Sequence, residues 1–392
     1  MEGAAAYTPA VTYIAEIARA SEFTLVDIGC SGGIDPVWRR FGPRLRAIAI
    51  DPNLSEIERL ATTETHPNVR YVAGFAGLPP EHPFARQKHG RSDWGRNPWD
   101  RLSAAKSLAI MKSRQLSVSE KTAANLWPDM ELADTGKVIV VPEYLRENGF
   151  VSVDFLKIDI DGKDFDVLNS FDSALDDLRV LGLGLEVNFH GSVLETDHTF
   201  HNTDRFMKAQ GFELVNLTVR RYSLAALPSK YLFDLPAQTE FGRPLQGDAL
   251  YVRDLASPEY EEFAAGLPSV KLLNLVCIFS AFNLPDCAAE VAQRYRQRLS
   301  RVCDVDHVLD LLTEQAQGAA EKPSSYREYM ERFEAQDPMF YPAGSIAAGS
   351  KTPAAWTPRT DDVKSGIRGR LPQSLVPVLR RLKRAWRVFR QP

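Results

Sequence analysis

The chain has 392 residues, of which 44% are hydrophobic and 25% charged, and carries a formal net charge of −4. That balance excludes a disordered, collagenous or disulfide-dense chain and leaves room for one large or two smaller globular domains. No apolar run approaches the roughly 18–20 residues that cross a bilayer.

Residues Tyr7 to Ala20 carry apolar side chains at helical spacing (Val11, Ile14, Ile17, Ala18). The stretch LVDIGCSGG, Leu25 to Gly33, follows. A short apolar strand runs into Asp27, and Gly29, Gly32 and Gly33 then crowd a turn, which lets backbone approach a ligand closely. A helical piece around Trp38 leads to a second strand, Leu45 to Ile50, ending on Asp51, 18 residues after Gly33. At that spacing a carboxylate stands beside the ribose of a bound nucleoside, so the first reading is a nucleoside-cofactor site of open class. Asn53 to Thr63 reads as a helix and Val69 to Ala73 as a third strand, giving βαβαβ and a parallel sheet with right-handed crossovers.

Residues 78–135 form a polar insertion with Pro79, Pro80, Pro83 and Pro98 and with Trp94, Trp99 and Trp127, of the kind that serves as a lid or a binding loop. Regular pattern returns with a short extended piece, Lys137 to Val141, and a helix, Pro142 to Asn148. A buried strand follows at Phe155 to Ile160, with Asp159 and Asp161 at its end, then a helix from near Lys163. The next strand, Leu181 to Val187, places Glu186 and Asn188 at its end. Since ligands of open α/β sheets bind at the carboxyl ends of strands, Asp27, Asp51, Asp159, Asp161 and Glu186 are expected on one rim. His190 lies just past it and could act as a base. His198 and His201 match no metal spacing. A helix at Thr199 to Gln210, a strand at Phe212 to Val219 and a closing strand at Asp248 to Arg253 complete the domain. Helices are then expected at Val270–Phe282, Ala288–Leu299 and Val305–Gln315.

Residues Ala319 to Arg370 are rich in Pro, Gly, Ser and charge and read as linker. From Val363 onward there are nine Lys or Arg and no acid, against 38 basic and 51 acidic residues before it. An acidic body with a basic tail argues against nucleic acid as the main partner. In the tail, Leu375, Val378, Leu379, Leu382, Trp386 and Phe389 recur at helical spacing among six Arg and Lys. A basic amphipathic helix of this kind suits an anionic membrane surface, or alternatively the protein's own acidic body. The first residues lack a basic-then-apolar leader, and Cys30, Cys277, Cys287 and Cys303 have no metal-type spacing, so the expected setting is cytoplasmic, at most peripheral to the inner membrane face.

LVDIGCSGG, AIDPN (Ala49 to Asn53), DFLKIDIDGKDFDVL, LGLEV, the stretch Thr199 to Leu217 and GDALYVRD (Gly247 to Asp254) together resemble the FkbM-type methyltransferases that use S-adenosylmethionine. The resemblance covers roughly residues 20 to 295, apart from much of the insertion at 78–135. It implies a doubly wound, Rossmann-like class I methyltransferase sheet, mostly parallel with an antiparallel last strand, and a helical appendage. The expected division is 1–256 for the methyltransferase domain, with the insertion at 78–135, 257–318 for the appendage, 319–371 for a linker and 372–392 for the basic helix. By the same resemblance, Asp27, Gly29, Cys30, Ser31 and Gly33 hold the methionine end of the cofactor. Asp51, Pro52 and Asn53 hold its ribose. Ser31 stands where the family has a third glycine, and Asp161 where it commonly has Glu.

The implied reaction is in-line methyl transfer to a hydroxyl of a sugar, glycan or glycolipid, with Asp159, Asp161, Glu186 or His190 as base. Asp159, Asp161, Glu186 and Asn188 are oxygen donors that a Mg²⁺-like ion would accept, but no metal is expected. A non-catalytic glycan-binding or scaffold protein is the alternative. An NAD-dependent oxidoreductase lacks a recognisable hydride-transfer motif in this chain.

Overall fold

The structure, a computed structural model, describes residues 8–86, 138–160, 162–191, 193–223, 239–318 and 322–335. Residues 87–135 of the insertion, Asp161 and the basic helix expected at 372–392 lie outside the described residues.

Among the described residues, seven strands make the main sheet: β1 (Phe23–Ile28), β2 (Leu45–Asp51), β3 (Val69–Ala73), β4 (Phe155–Ile158), β5 (Gly182–Asn188), β6 (Glu213–Tyr222) and β7 (Arg243–Val252). Their order is β3-β2-β1-β4-β5-β7-β6. The first five run parallel, whereas β7 pairs antiparallel with both β5 and β6. This is the doubly wound sheet with an antiparallel closing strand that the sequence led us to expect. The order reverses between β1 and β4, and in such sheets the crevice at that switch point holds the ligand.

Successive strand residues face opposite layers. Phe23, Leu25, Ala47, Ala49, Phe155 and Val252 contribute to one core, while Val26, Ile28, Ile48, Ile50, Leu156, Ile158 and Leu185 contribute to the other. Burial on both sides explains why β1 and β4 read as continuous apolar runs rather than alternating ones.

Most boundaries fall within a residue or two of expectation, and the differences have local causes. Strand β4 stops at Ile158, not Ile160, because the Ile160 amide donates to Asp164 Oδ1 (2.9 Å) and the chain turns aside there. Strand β7 begins five residues early, since Arg243 pairs with Tyr222 at the far end of β6. The helix expected at Ala288–Leu299 is two pieces, Pro285–Arg294 and Arg296–Leu299. They part at Tyr295, whose hydroxyl donates to the Leu255 carbonyl (2.7 Å). The stretch read as linker holds a helix at Tyr326–Ala335. The insertion leaves and rejoins the body at a small parallel pair, Phe75–Ala76 with Val138–Ile139.

The helix after β1, α1 (Pro36–Arg39), has only four residues, and its Trp38 shares a core with α2 (Ser269–Ala281), whose residues from Lys271 to Ala281 are all buried. Just beyond α2, Phe282 stacks on Phe155 (centroids 5.2 Å) and meets the edge of Trp38 (5.8 Å). Such pairs contribute about 0.5–1.5 kcal/mol each beyond their buried area. Polar groups tie the same contact from below. Buried Asp154 accepts from the Thr24 amide (2.8 Å), Lys271 Nζ (2.7 Å) and Asn274 Nδ2 (2.9 Å), and the Asn274 side-chain oxygen accepts from Arg44. The sheet and these helices belong to a compact unit that ends at Tyr326. A second unit begins at Arg327, and its described part is the helix to Ala335.

Candidate active site

The turn after β1 takes its shape from three glycines in the left-handed region, Gly29 (φ 87°), Gly32 (83°) and Gly33 (92°). Gly29 also lacks room for a side chain, because a Cβ there would overlap the Asp159 carbonyl group. At Gly32 nothing lies within 4 Å of the same position, so the outer part of the turn is open to a ligand. Ser31, where the family has glycine, is not among the residues with positive φ, so its side chain is accommodated without strain. The Gly32 amide donates to Glu56 (3.0 Å) and the Gly29 amide to the Ile50 carbonyl (2.8 Å).

Beneath the turn sits Lys157, a charged residue in the otherwise apolar strand FLKI. Its Nζ lies 3.2 Å from Asp27 Oδ1, 3.1 Å from the Gly29 carbonyl oxygen and 3.5 Å from Asp159 Oδ2. Burial raises the Asp27 carboxyl to about 6, with the Lys157 ammonium pulling the other way. Burial also opposes the Lys157 charge, but the Asp27 and Asp159 carboxylates outweigh it and hold its pKa above the usual lysine value. At neutral pH Asp27 and Lys157 are therefore ionised, and Asp159 is the outermost of the three groups, its side chain 38% exposed.

Asp51, at the end of β2, is buried, and its carboxyl is raised by that burial while the Asn53 and Ser31 amides donate to it. Pro52 is half-buried. The Asn53 side chain caps the next helix (Leu54–Thr63), accepting from the Glu56 amide (3.2 Å), and is thereby engaged. Cys30 turns its thiol into the core, and burial pushes that thiol far up, leaving its backbone as the part that faces a ligand.

A second polar group lies along the rim. Asp164 accepts from the Ile160 (2.9 Å) and Gly162 (3.0 Å) amides and lies 3.5 Å from His198 Nδ1. His198 Nε2 meets the Glu186 carbonyl oxygen (2.9 Å), and its Nδ1 meets the Asn188 side-chain nitrogen Nδ2 (3.2 Å). The Glu186 carboxylate, 5% exposed, accepts from Arg220 (3.0 Å) and from Gln246. Arg220 also holds Asp248 (2.7 Å).

Asp159, Asp164 and Glu186 each offer an oxygen within 4.8 Å of the others, the hard-donor type a divalent cation takes. Two of the three already serve backbone amides or Arg220. His190 is half-buried with an Nε2 that has no hydrogen-bond partner. Burial, then the nearby His198, lowers its pKa, so it is neutral at pH 7. His201 is exposed on the helix Phe200–Ala209.

Of the residues expected to act together, the structure joins Asp27, Gly29 and Asp159 through Lys157, and Asp51 to the turn through Ser31. It commits Glu186 to an ion pair. Sequence reasoning passed over Lys157, Asp164 and Arg220. A lone charge inside an apolar strand was the available signal for Lys157.

Residues 121–214 match the family model for the methyltransferase FkbM domain. The matched stretch contains β4, β5 and the rim residues Asp159, Asp164 and Glu186. No curated protein matches the chain. Among solved structures, the chain is similar to a precorrin-6y C5,15-methyltransferase from Geobacter metallireducens, at 13% identity and a TM-score of 0.28 over 62% of this chain and 86% of that one. An S-adenosylmethionine-dependent methyltransferase from Anabaena variabilis gives 12% and 0.29, over 64% and 86%. M. jannaschii TYW2 in complex with AdoMet gives 10% and 0.26, over 64% and 78%. These likenesses are too loose to carry an argument. What stands is the match of residues 121–214 to the methyltransferase FkbM domain, set in the doubly wound sheet described above.

Proposed function

We propose that the chain is an O-methyltransferase acting on a hydroxyl of a sugar, glycan or glycolipid, with Asp159 as the base. One observation carries this reading. Asp159 is a partly exposed carboxylate on the rim that is also joined to the cofactor turn, through Lys157. The donor supplies an electrophilic methyl group on a sulfonium. The glycine turn and Asp27 fit its methionine end, and Asp51 fits its ribose hydroxyls. What the protein adds is alignment of the attacking oxygen and removal of its proton. A rim lined by Asp159, Asp164, Glu186 and Asp248 favours a neutral polyol, whose hydroxyls donate to carboxylates, over a phosphorylated acceptor.

Calorimetry with S-adenosylhomocysteine tests the first step, and Asp51→Ala should weaken that binding at least tenfold. Binding that the substitution leaves unchanged refutes the site assignment. No binding at all favours the alternative, a glycan-binding protein that retains the fold. Asp159→Asn should keep S-adenosylhomocysteine binding while methyl transfer to a panel of neutral sugars falls by about 10²–10⁴.

The division of labour we infer is chemistry in 1–256, support from 257–318, a linker over 319–371 and attachment by 372–392. No described helix is long and apolar enough to cross a membrane. The basic, Trp- and Phe-bearing pattern of 372–392 supports docking on an anionic membrane surface, at about 1 kcal/mol per basic residue.

A further inference from the structure

We propose that Lys157 is a positioning residue that makes the cofactor turn and the proton-accepting carboxylate a single unit. The inference rests on the methyltransferase reading above and adds a role to it. An ammonium has three N–H bonds, and around this one stand three acceptors on two elements: Asp27 Oδ1 (3.2 Å) and the Gly29 carbonyl oxygen (3.1 Å) from β1 and its turn, and Asp159 Oδ2 (3.5 Å) from the end of β4. Its backbone is fixed inside the sheet, in register with Asp27 on β1 and Gly184 on β5. The two elements also touch through their backbones, where Gly29 meets the Asp159 carbonyl. A shift of the turn is therefore passed to Asp159, and a shift of Asp159 to the turn.

The groups that face Asp27 are Lys157 and Asp159 from β4, Asp35 from the start of α1, and the Cys30 thiol from its own turn. Lys157 is the cation among them. Without it, burial acts on the Asp27 carboxyl unopposed and its protonation moves to higher pH.

The test is calorimetry of S-adenosylhomocysteine binding to the full chain between pH 5.5 and 8.5. For the wild type, affinity should fall below pH 6 or so as Asp27 takes a proton. Lys157→Met should bind at least tenfold more weakly at pH 7, with the fall displaced upward by about one unit or more, a tenfold change in proton affinity. Lys157→Arg, which restores the charge, should return the midpoint to the wild-type position. Lys157→Met with wild-type affinity and an unmoved midpoint overturns the proposal. So does an arginine variant that behaves like methionine, because a purely structural role would not respond to charge. Should Lys157→Met fail to fold, Asp27→Asn decides: it should abolish the fall near pH 6, and a retained fall overturns the proposal. Wild-type protein that binds no S-adenosylhomocysteine at any pH removes the methyltransferase reading itself, and this inference with it.

Discussion

Replacing Gly29 by alanine separates two costs that usually come together. The first is conformational, since φ at Gly29 is 87° and an L-residue held there loses about 1–2 kcal/mol. The second is steric. The added Cβ would stand 2.6 Å from the Asp159 carbonyl carbon, closer still to its oxygen, and 3.2 Å from Ile160 Cγ2. Two of those atoms are backbone and cannot rotate away, so the turn and the end of β4 must part. Overpacking of this kind typically costs about 1–3 kcal/mol more. Gly32→Ala is the internal control, because φ is 83° there but nothing lies within 4 Å of the new Cβ. Urea denaturation should find Gly32→Ala lower by about 1–2 kcal/mol and Gly29→Ala lower by about 2–5 kcal/mol. Calorimetry should show S-adenosylhomocysteine binding lost in Gly29→Ala, since its turn no longer sits against Asp159. Equal stability and equal binding in the two variants would refute the reasoning, because contact between the turn and β4 would then carry no energy.

Asp154→Ala should cost about 3–5 kcal/mol in the same measurement, because it leaves the Lys271 ammonium buried without its partner; a loss under about 1 kcal/mol would contradict the role given to this pair. Arg39 grips Glu64 through two hydrogen bonds of 2.7 Å and holds its carboxyl down at about 2. A depressed acid stabilises the fold above its ordinary value of 4.5, and that contribution is lost as pH falls toward 2. Arg39 is partly exposed, so Glu64→Gln should cost about 1–2 kcal/mol at pH 7 and progressively less below pH 4.5. A penalty that does not vary with pH would exclude this origin. Deleting 372–392 should abolish co-sedimentation with anionic vesicles and leave S-adenosylhomocysteine binding intact, whereas vesicle binding that survives the deletion would reject the membrane role.

Much of the sheet was legible because its strands are short apolar runs that end on acids, and because three glycines mark the turn. Asp27, Asp51, Asp159 and Glu186 were found by that rule. Their roles were less legible. Glu186, a candidate base, faces Arg220 on a strand 34 positions later, and no local pattern announces such a partner. Asp164 lies inside the segment DFLKIDIDGKDFDVL, but its work in holding the Ile160 and Gly162 amides depends on where the chain turns. The seat of α2 on the sheet was hidden for a similar reason. The helical pattern of Ser269–Ala281 is plain, whereas nothing in it says that it shares a core with Trp38 of α1 and Phe155 of β4.

The pairing of Asp154 with Lys271 has a consequence for synthesis. Asp154 is at zero exposure in the finished protein, yet its counter-charge follows 117 residues later in the chain. At about 5–20 residues per second, the ribosome needs roughly 6–23 seconds to make that stretch. Throughout that interval the Asp154 carboxylate lacks the ammonium and the amide donor that α2 supplies. These contacts can form only after all seven strands have been made, and a chain shortened at the end of β7 would lack both Lys271 and Asn274.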